Sequence, residues 1–248
     1  MNYNWNWRIF WEQSPDGMGS YLDSFVHGLG WTVATAVLAW IMALLLGGVV
    51  GSLRTLPNRA VSGACNAYIE LFRNIPLLVQ MFLWYFVLPE VLPGAVGDWL
   101  KQLPNASFVT AVLCLGSYTS SRVAVQVSVG IQALPRGQRL AGTALGLTLF
   151  QTYRHVILPM ALRIIIPPLT NEFINVVKNS ALALSIGLME LTAQARSMQE
   201  FSFQVFEAFT LATLMYLAVN AGVVGLMGWI ERRTAVPGMT AAGRGGKR

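Results

Sequence analysis

The sequence predicts an all-α integral membrane protein of five transmembrane helices, with its N-terminus outside and its C-terminus in the cytoplasm. Three observations carry this expectation. Of the 248 residues, 54% are hydrophobic and only 11% are charged, against about 25% charge in an ordinary soluble domain. Residues 28–53 and 208–230 contain no charge at all, and each stretch is longer than the roughly 20 residues that cross a bilayer as a helix. Lys and Arg divide 3 against 12 between the two sides that five spans define, with Arg122 and Lys178 left inside spans. The side richer in basic residues is the cytoplasmic one.

Residues 1–24 read as a periplasmic, interfacial segment. Trp5, Trp7 and Trp11 suit the headgroup level, where an amphipathic ring is favoured. No basic start followed by an apolar core is present, so no cleaved signal peptide is expected. The first span is 28–53, with Gly47, Gly48 and Gly51 near its end permitting close helix packing. A basic turn with Arg54 and Arg59 follows. A short helix from residue 60 leads into a second span, 75–91, which Pro76 opens and in which Gln80 is embedded. Glu70 and Arg73 stand three apart on that short helix, a spacing that suits a structural pair. Residues 92–105 read as a loop with a brief interfacial helix near 96–103. The third span, 107–131, carries Arg122 and Gln126.

Residues 135–168 follow as a long basic loop containing Arg136, Arg139, Arg154 and Arg163 and no acid. Leu140 to Leu145 is a short run of helix formers and small residues, and Gly146 suits a turn that needs a positive φ. Thr148 precedes Gln151 by three residues, the spacing of a capping box, so a second helix starts there. Pro159 is expected to stop or kink it. The two short helices form a compact knob. The fourth span, 171–189, is weakly hydrophobic and holds Asn171, Glu172, Asn175, Lys178 and Asn179. Such a segment needs its polar side against protein or water. Residues 190–207 read as a polar loop, 208–230 as the fifth span, and 233–248 as a basic cytoplasmic tail, disordered beyond Pro237. The membrane domain is thus 25–232.

The basic loop resembles the EAA loop of permease subunits from bacterial ABC importers. That pattern is Glu-Ala-Ala, three residues, Gly, nine residues, a branched aliphatic residue, any residue, then Leu-Pro. Here Leu140, Ala141 and Gly142 take the first three places, then Gly146, Val156, Leu158 and Pro159. Leu140 replaces the glutamate and Gly142 the second alanine. The stretch from Tyr68 to Gln80, Pro167 to Asn171, and Lys178-Asn179-Ser180 resemble permeases for polar amino acids, within them those for glutamate and aspartate. The resemblance covers residues 20–232. It implies the type I importer permease fold and a place in the bacterial inner membrane. The implied partners are a homodimer of ATP-binding subunits, a second and different permease subunit, and a periplasmic substrate-binding protein. The coupling surface it implies comprises Leu140, Ala141, Gly142, Gly146, Arg154, Leu158 and Pro159.

Importing an acidic amino acid requires a fixed cation in a poorly solvated passage. Arg122 is the candidate, because a guanidinium stays charged and binds a carboxylate with two hydrogen bonds. The alternatives are an ion pair with Glu172 or Glu190, or contact with the second permease. Asn171, Asn175, Lys178 and Asn179 share one helical face, which lines the passage or a helix interface. Lys178 reaches either substrate or a phosphate or carbonyl at the helix end. Gln80 bonds substrate or packs. At Arg122 the family usually has a bulky non-basic residue, and at Val125 and Ser128 a Glu and an Arg.

Other function classes are disfavoured. Neither Cys65 nor Cys114 has a Cys or His at ligand spacing, so no metal, cofactor or disulfide is expected. His27 and His155 lack a nucleophile beside them, and neither HExxH nor GxSxG occurs. The net charge of +6 is a topology signal and implies no nucleic acid. Without a phosphate-binding Gly-Lys-Ser/Thr run the chain needs a separate ATPase. The same importer class for glutamine or a basic amino acid is the alternative reading. An ion-coupled secondary transporter is disfavoured by the absence of an inverted repeat.

Overall fold

The computed structural model describes residues 3–234, apart from 16 and 18, and the described residues are helical apart from one isolated β-bridge and short connections. A 3-10 turn, Trp7–Trp11, precedes α1, Tyr21–Leu53. Ser20 starts α1 with a capping box: its hydroxyl accepts from the Asp23 amide and the Asp23 carboxylate accepts from the Ser20 amide. The helix therefore begins seven residues before the uncharged stretch. Next come α2, Arg59–Asn74, capped by the Asn58 side chain, and α3, Leu77–Val91. These two meet at a 99° bend, and only taken together are they long and apolar enough to cross a membrane. The interfacial helix is α4, Gly94–Lys101, and the third span is α5, Ala106–Gln132. The loop holds α6, Arg136–Ala144. Then follow α7, Leu149–Ile186, α8, Leu191–Ser202, and α9, Val205–Thr234. Among the described residues four helices are long and apolar enough to cross a membrane, or five where the bent pair is counted as one span. The expected tail lies outside the described residues from 235 onward.

Two expectations are corrected. The fourth span does not start after Pro168. One helix runs from Leu149 through Pro159, Pro167 and Pro168 to Ile186, so the C-terminal part of the expected loop belongs to the span. Pro159 neither stops the helix nor closes it. The turn just before it, Tyr153–Ile157, is a π-turn in which the Leu158 amide bonds the Tyr153 carbonyl. A proline ring clashes with the carbonyl four residues back and supplies no N–H. The wider turn moves that carbonyl aside. The same device recurs in α3, where the Leu88 amide bonds the Leu83 carbonyl and Pro89 follows. Residues 190–207 are likewise no loop: α8 fills most of them and buries Leu191, Ala193, Gln194, Ala195 and Met198 against α1 and α9. Arg196 and Glu200 face outward and, Gln194 apart, the buried stripe is apolar and too short to read as a span.

The centre of the fold is α5, with α1 laid along it and α7 crossing it. The close approach is set by two glycines. A Cβ on Gly47 would stand 2.6 Å from the Ser120 carbonyl oxygen, and one on Gly51 2.5 Å from that of Ala124. Gly48 instead faces open space. A second, smaller core joins Ile9, Phe10, Phe25, Leu191, Met198 and Ala208, tying the N-terminal turn to α1, α8 and α9. Glu70 and Arg73 form no ion pair and are both exposed.

Gly51→Leu is expected to destabilise the detergent-solubilised protein by about 1–3 kcal/mol through overpacking, whereas Gly48→Leu leaves the melting temperature within a degree or two. A thermal melt of both variants checks this, and equal losses would contradict it.

Candidate functional site: a polar seam in the membrane and a knob at its edge

The exposed flanks of α1 and α9 are aliphatic, with Val37, Ile41, Leu45, Leu217 and Val224 among their residues. One face differs. On α5 the partly open mid-span positions include Tyr118, Arg122, Val125 and Gln126, and on α7 those from 171 to 179 are Asn171, Ile174, Asn175, Lys178 and Asn179. These two faces adjoin along a seam, because Arg122 crosses from α5 to α7. Its Nε donates to Glu172 Oε2 at 2.6 Å and its Nη2 to Glu172 Oε1 at 3.2 Å. The Glu172 side chain is 7% exposed and that of Arg122 is 39% exposed. An unpaired charge so placed is strongly disfavoured, and a two-bond pair removes most of that cost. A polar face on a membrane helix must meet protein or water. Of the alternatives for Arg122, the structure realises the pair with Glu172.

The remaining candidates separate. Asn171 and Lys178 are exposed on the seam, and Asn175 and Asn179 are half-buried beside it. Gln80 is not on it. Its amide nitrogen donates to the carbonyls of Phe72 and Ile75, both at 2.8 Å, and so satisfies the backbone freed where α2 bends into α3. Pro76, four residues after Phe72, has no N–H to give that carbonyl, which is why a side chain is needed there.

Sequence reasoning missed Arg54. Its Nε donates to Asn66 at 2.7 Å and its Nη1 to Ser128 at 3.0 Å. A guanidinium thus reaches the buried Ser128 hydroxyl on α5 from the turn after α1. No local signal marks it, since the contact spans 74 residues. Glu190, the other acid read as a possible partner for Arg122, is engaged elsewhere. It is fully buried at the start of α8, where Oε1 accepts from the Ala193 amide at 2.8 Å. Oε2 accepts from Tyr216 at 2.7 Å and from Thr32 at 3.4 Å, so one carboxylate joins α1, α8 and α9. Burial pushes its carboxyl above the ordinary range, and the bonds from Thr192, Tyr216, Ala193 and Thr32 offset part of this.

At the basic edge the knob has the expected form. α6 ends in a Schellman motif: Leu147 N–H bonds the Gly142 carbonyl, Gly146 N–H bonds that of Thr143, and Gly146 has φ +75°. Thr148 and Gln151 make the capping box. Gly142 is buried against α7, and a Cβ there would stand 2.7 Å from Thr152 Cγ2. That explains glycine at this place in the pattern. Leu140, 68% exposed, and Leu145, 79% exposed, project from the knob without partners of their own. Arg154 and Pro159 are exposed beside it and Leu158 is half-buried.

Broken helical spans, a polar seam between two of them and a two-helix knob at a basic edge define the membrane component of a substrate importer. Residues 37–236 match the family of binding-protein-dependent transport system inner membrane components, and the chain belongs to it. It is 48% identical over 241 residues to the glutamate/aspartate import permease protein GltJ of Escherichia coli K12, covering 96% of this chain and 98% of that one. It is 32% identical to the probable glutamine ABC transporter permease protein GlnM of Bacillus subtilis, covering 88% and 94%. Among solved structures, an amino acid ABC transporter crystallised with histidines superposes with a TM-score of 0.72 at 31% identity, covering 86% of this chain and 95% of that one. The inward-facing MetNI methionine transporter superposes with a TM-score of 0.70 at 19% identity, covering 86% and 96%, and shares the fold. The protein is a multi-pass inner-membrane transport component with the type I importer permease fold, and is not an enzyme.

Because Glu190 holds its proton to higher pH when folded than when unfolded, the folded state binds more protons in the window between. Stability therefore falls as pH rises through that window and grows on acidification from neutrality. Melting temperature is expected to increase from pH 7.5 to pH 5.5 in the wild type, and the increase to shrink in Glu190→Gln. An unchanged slope in the variant would show that other groups set it.

Proposed function

We propose that this chain is a permease subunit of an ABC importer for acidic amino acids, with its N-terminus in the periplasm and its C-terminus in the cytoplasm. The observation that carries the substrate is the match at 48% identity, along nearly the whole of both chains, to a permease named for glutamate and aspartate. Arg122 supplies the physical reason, as a fixed guanidinium on the polar face of a span. Lys178, with Asn171, Asn175 and Asn179, continues that face along α7 and offers a second cation with amide donors for a second carboxylate. The knob is the surface that receives an ATP-binding subunit. Leu140 and Leu145 stand out from it on the basic side, and exposed apolar side chains of this kind mark a partner's site. Closure of two ATP-binding subunits moves the knob, and α7, continuous from Leu149 to Ile186, carries that motion rigidly into the seam. A second permease completes the passage, and a periplasmic binding protein delivers the amino acid.

A second reading is favoured by one observation. Glu172 cancels the charge of Arg122, so the seam also suits a neutral polar amino acid such as glutamine, the substrate in the name of a 32%-identical relative.

Labelled-glutamate uptake in vesicles reconstituted with the partner subunits and a binding protein is the test. Uptake that needs internal ATP and is competed by aspartate, but not by arginine or glutamine, is expected. Competition by glutamine alone would establish the second reading, and uptake without ATP would overturn both. Arg122→Gln is expected to reduce uptake by about tenfold or more, the size of a lost charge-assisted hydrogen bond, in a complex that still assembles. Leu145→Asp should abolish co-purification of the ATP-binding subunit while the permease keeps its melting temperature.

A further inference from the structure

We propose that the Arg122–Glu172 pair is a self-filled receptor for the α-amino-acid zwitterion, in which Glu172 holds the substrate's ammonium group as Arg122 takes its α-carboxylate. The inference rests on the amino-acid permease reading above and adds to it the ligand for the ammonium and the basis of selection against simple anions.

The geometry carries it. Both oxygens of Glu172 are engaged by Arg122, at 2.6 and 3.2 Å, on adjacent spans. The Glu172 side chain is almost closed off while the Arg122 side chain stays about two-fifths exposed on the seam. A ligand on the seam thus meets Arg122 first. Drawing the guanidinium away leaves a carboxylate at 7% exposure without its partner, and an orphaned charge at such a site is heavily penalised. A dicarboxylate that lacks an ammonium group takes Arg122 and leaves that penalty standing. A simple amine meets the reverse fault, because it takes Glu172 and orphans Arg122. An amino acid brings a carboxylate and an ammonium on one carbon, so both halves of the pair find a new partner together. Selectivity then comes from what the wrong ligand leaves unpaired, as is general for sites built of buried polar groups. The pair is neutral when empty, so the seam does not trap a stray anion or cation between deliveries. Tyr118 and Gln126, one turn to either side of Arg122, and Asn171 and Asn175, beside Glu172 in sequence and one turn on, are among the polar groups left partly open or exposed near it.

Saturation-transfer NMR on the assembled permease–ATPase complex in nanodiscs, without binding protein, reads the exchange directly even for millimolar ligands. The probes are L-glutamate and glutarate, which differ by the ammonium group. With wild type, transfer to glutamate and none to glutarate is expected. With Glu172→Gln the guanidinium is no longer neutralised, and glutarate gains transfer while the glutamate signal falls. Absence of transfer to glutamate in the wild type, or equal transfer to both probes there, overturns the proposal, as does an identical effect of Glu172→Gln on the two. The swapped variant Arg122→Glu/Glu172→Arg keeps an ion pair between the two spans. If it assembles and imports glutamate at more than about half the wild-type rate, the pair is only a structural bridge and the proposal fails. Assembly with import lost by tenfold or more supports it. If the swapped variant does not assemble, the NMR comparison decides alone. Wild-type vesicles that take up no glutamate with ATP would instead sink the permease reading itself, so the two failures are told apart.

Discussion

In hydrocarbon no water is present to satisfy a backbone N–H or C=O, and the rest of this structure follows from that constraint. It leaves helices as the spanning elements and makes each interruption need a replacement partner. The bend between α2 and α3 is tolerated because the Gln80 amide reaches two carbonyls at the break. Pro89 and Pro159 are tolerated because a π-turn precedes each one. The same constraint governs charge. Arg122 sits in a span only because Glu172 meets it with both oxygens, and Glu190 is buried only because three helices supply its donors.

One helix, α7, runs from the knob to the polar seam with no loop between Leu149 and Lys178, which is what the coupling proposed above requires. The packing beneath it is unyielding. Gly47 and Gly51 bring the α1 backbone against α5 with no slack, and Gly142 does the same for α6 against Thr152.

Much of this was readable from the residues. Charge-free stretches gave the first and last spans, because a mean property over about 20 residues needs no knowledge of partners. Thr148 with Gln151, and Gly146 after a short helix, gave the knob, because caps and positive-φ turns are local chemistry. Three things were not readable. The apolar stripe of α8 is too short to stand out from its polar neighbours. The run through Pro159, Pro167 and Pro168 looked like a boundary, since a proline normally ends a helix and nothing local says that a π-turn will absorb it. Gln80 looked like a polar group in a passage because its two acceptors become available only at a bend.

The sequence by itself determined the class of solvent, the number of crossings, the basic edge and the local shape of the knob, all of which depend on residues within a few turns of one another. Only the tertiary structure decided which acid neutralises Arg122. Glu172 and Glu190 were both in reach on paper. The choice depends on the crossing of α5 over α7, which puts Glu172 against the guanidinium and turns Glu190 toward Thr32 and Tyr216. Partners fifty or more residues apart are fixed by packing, and packing is set by close approaches such as Gly47 to Ser120 that no single segment encodes.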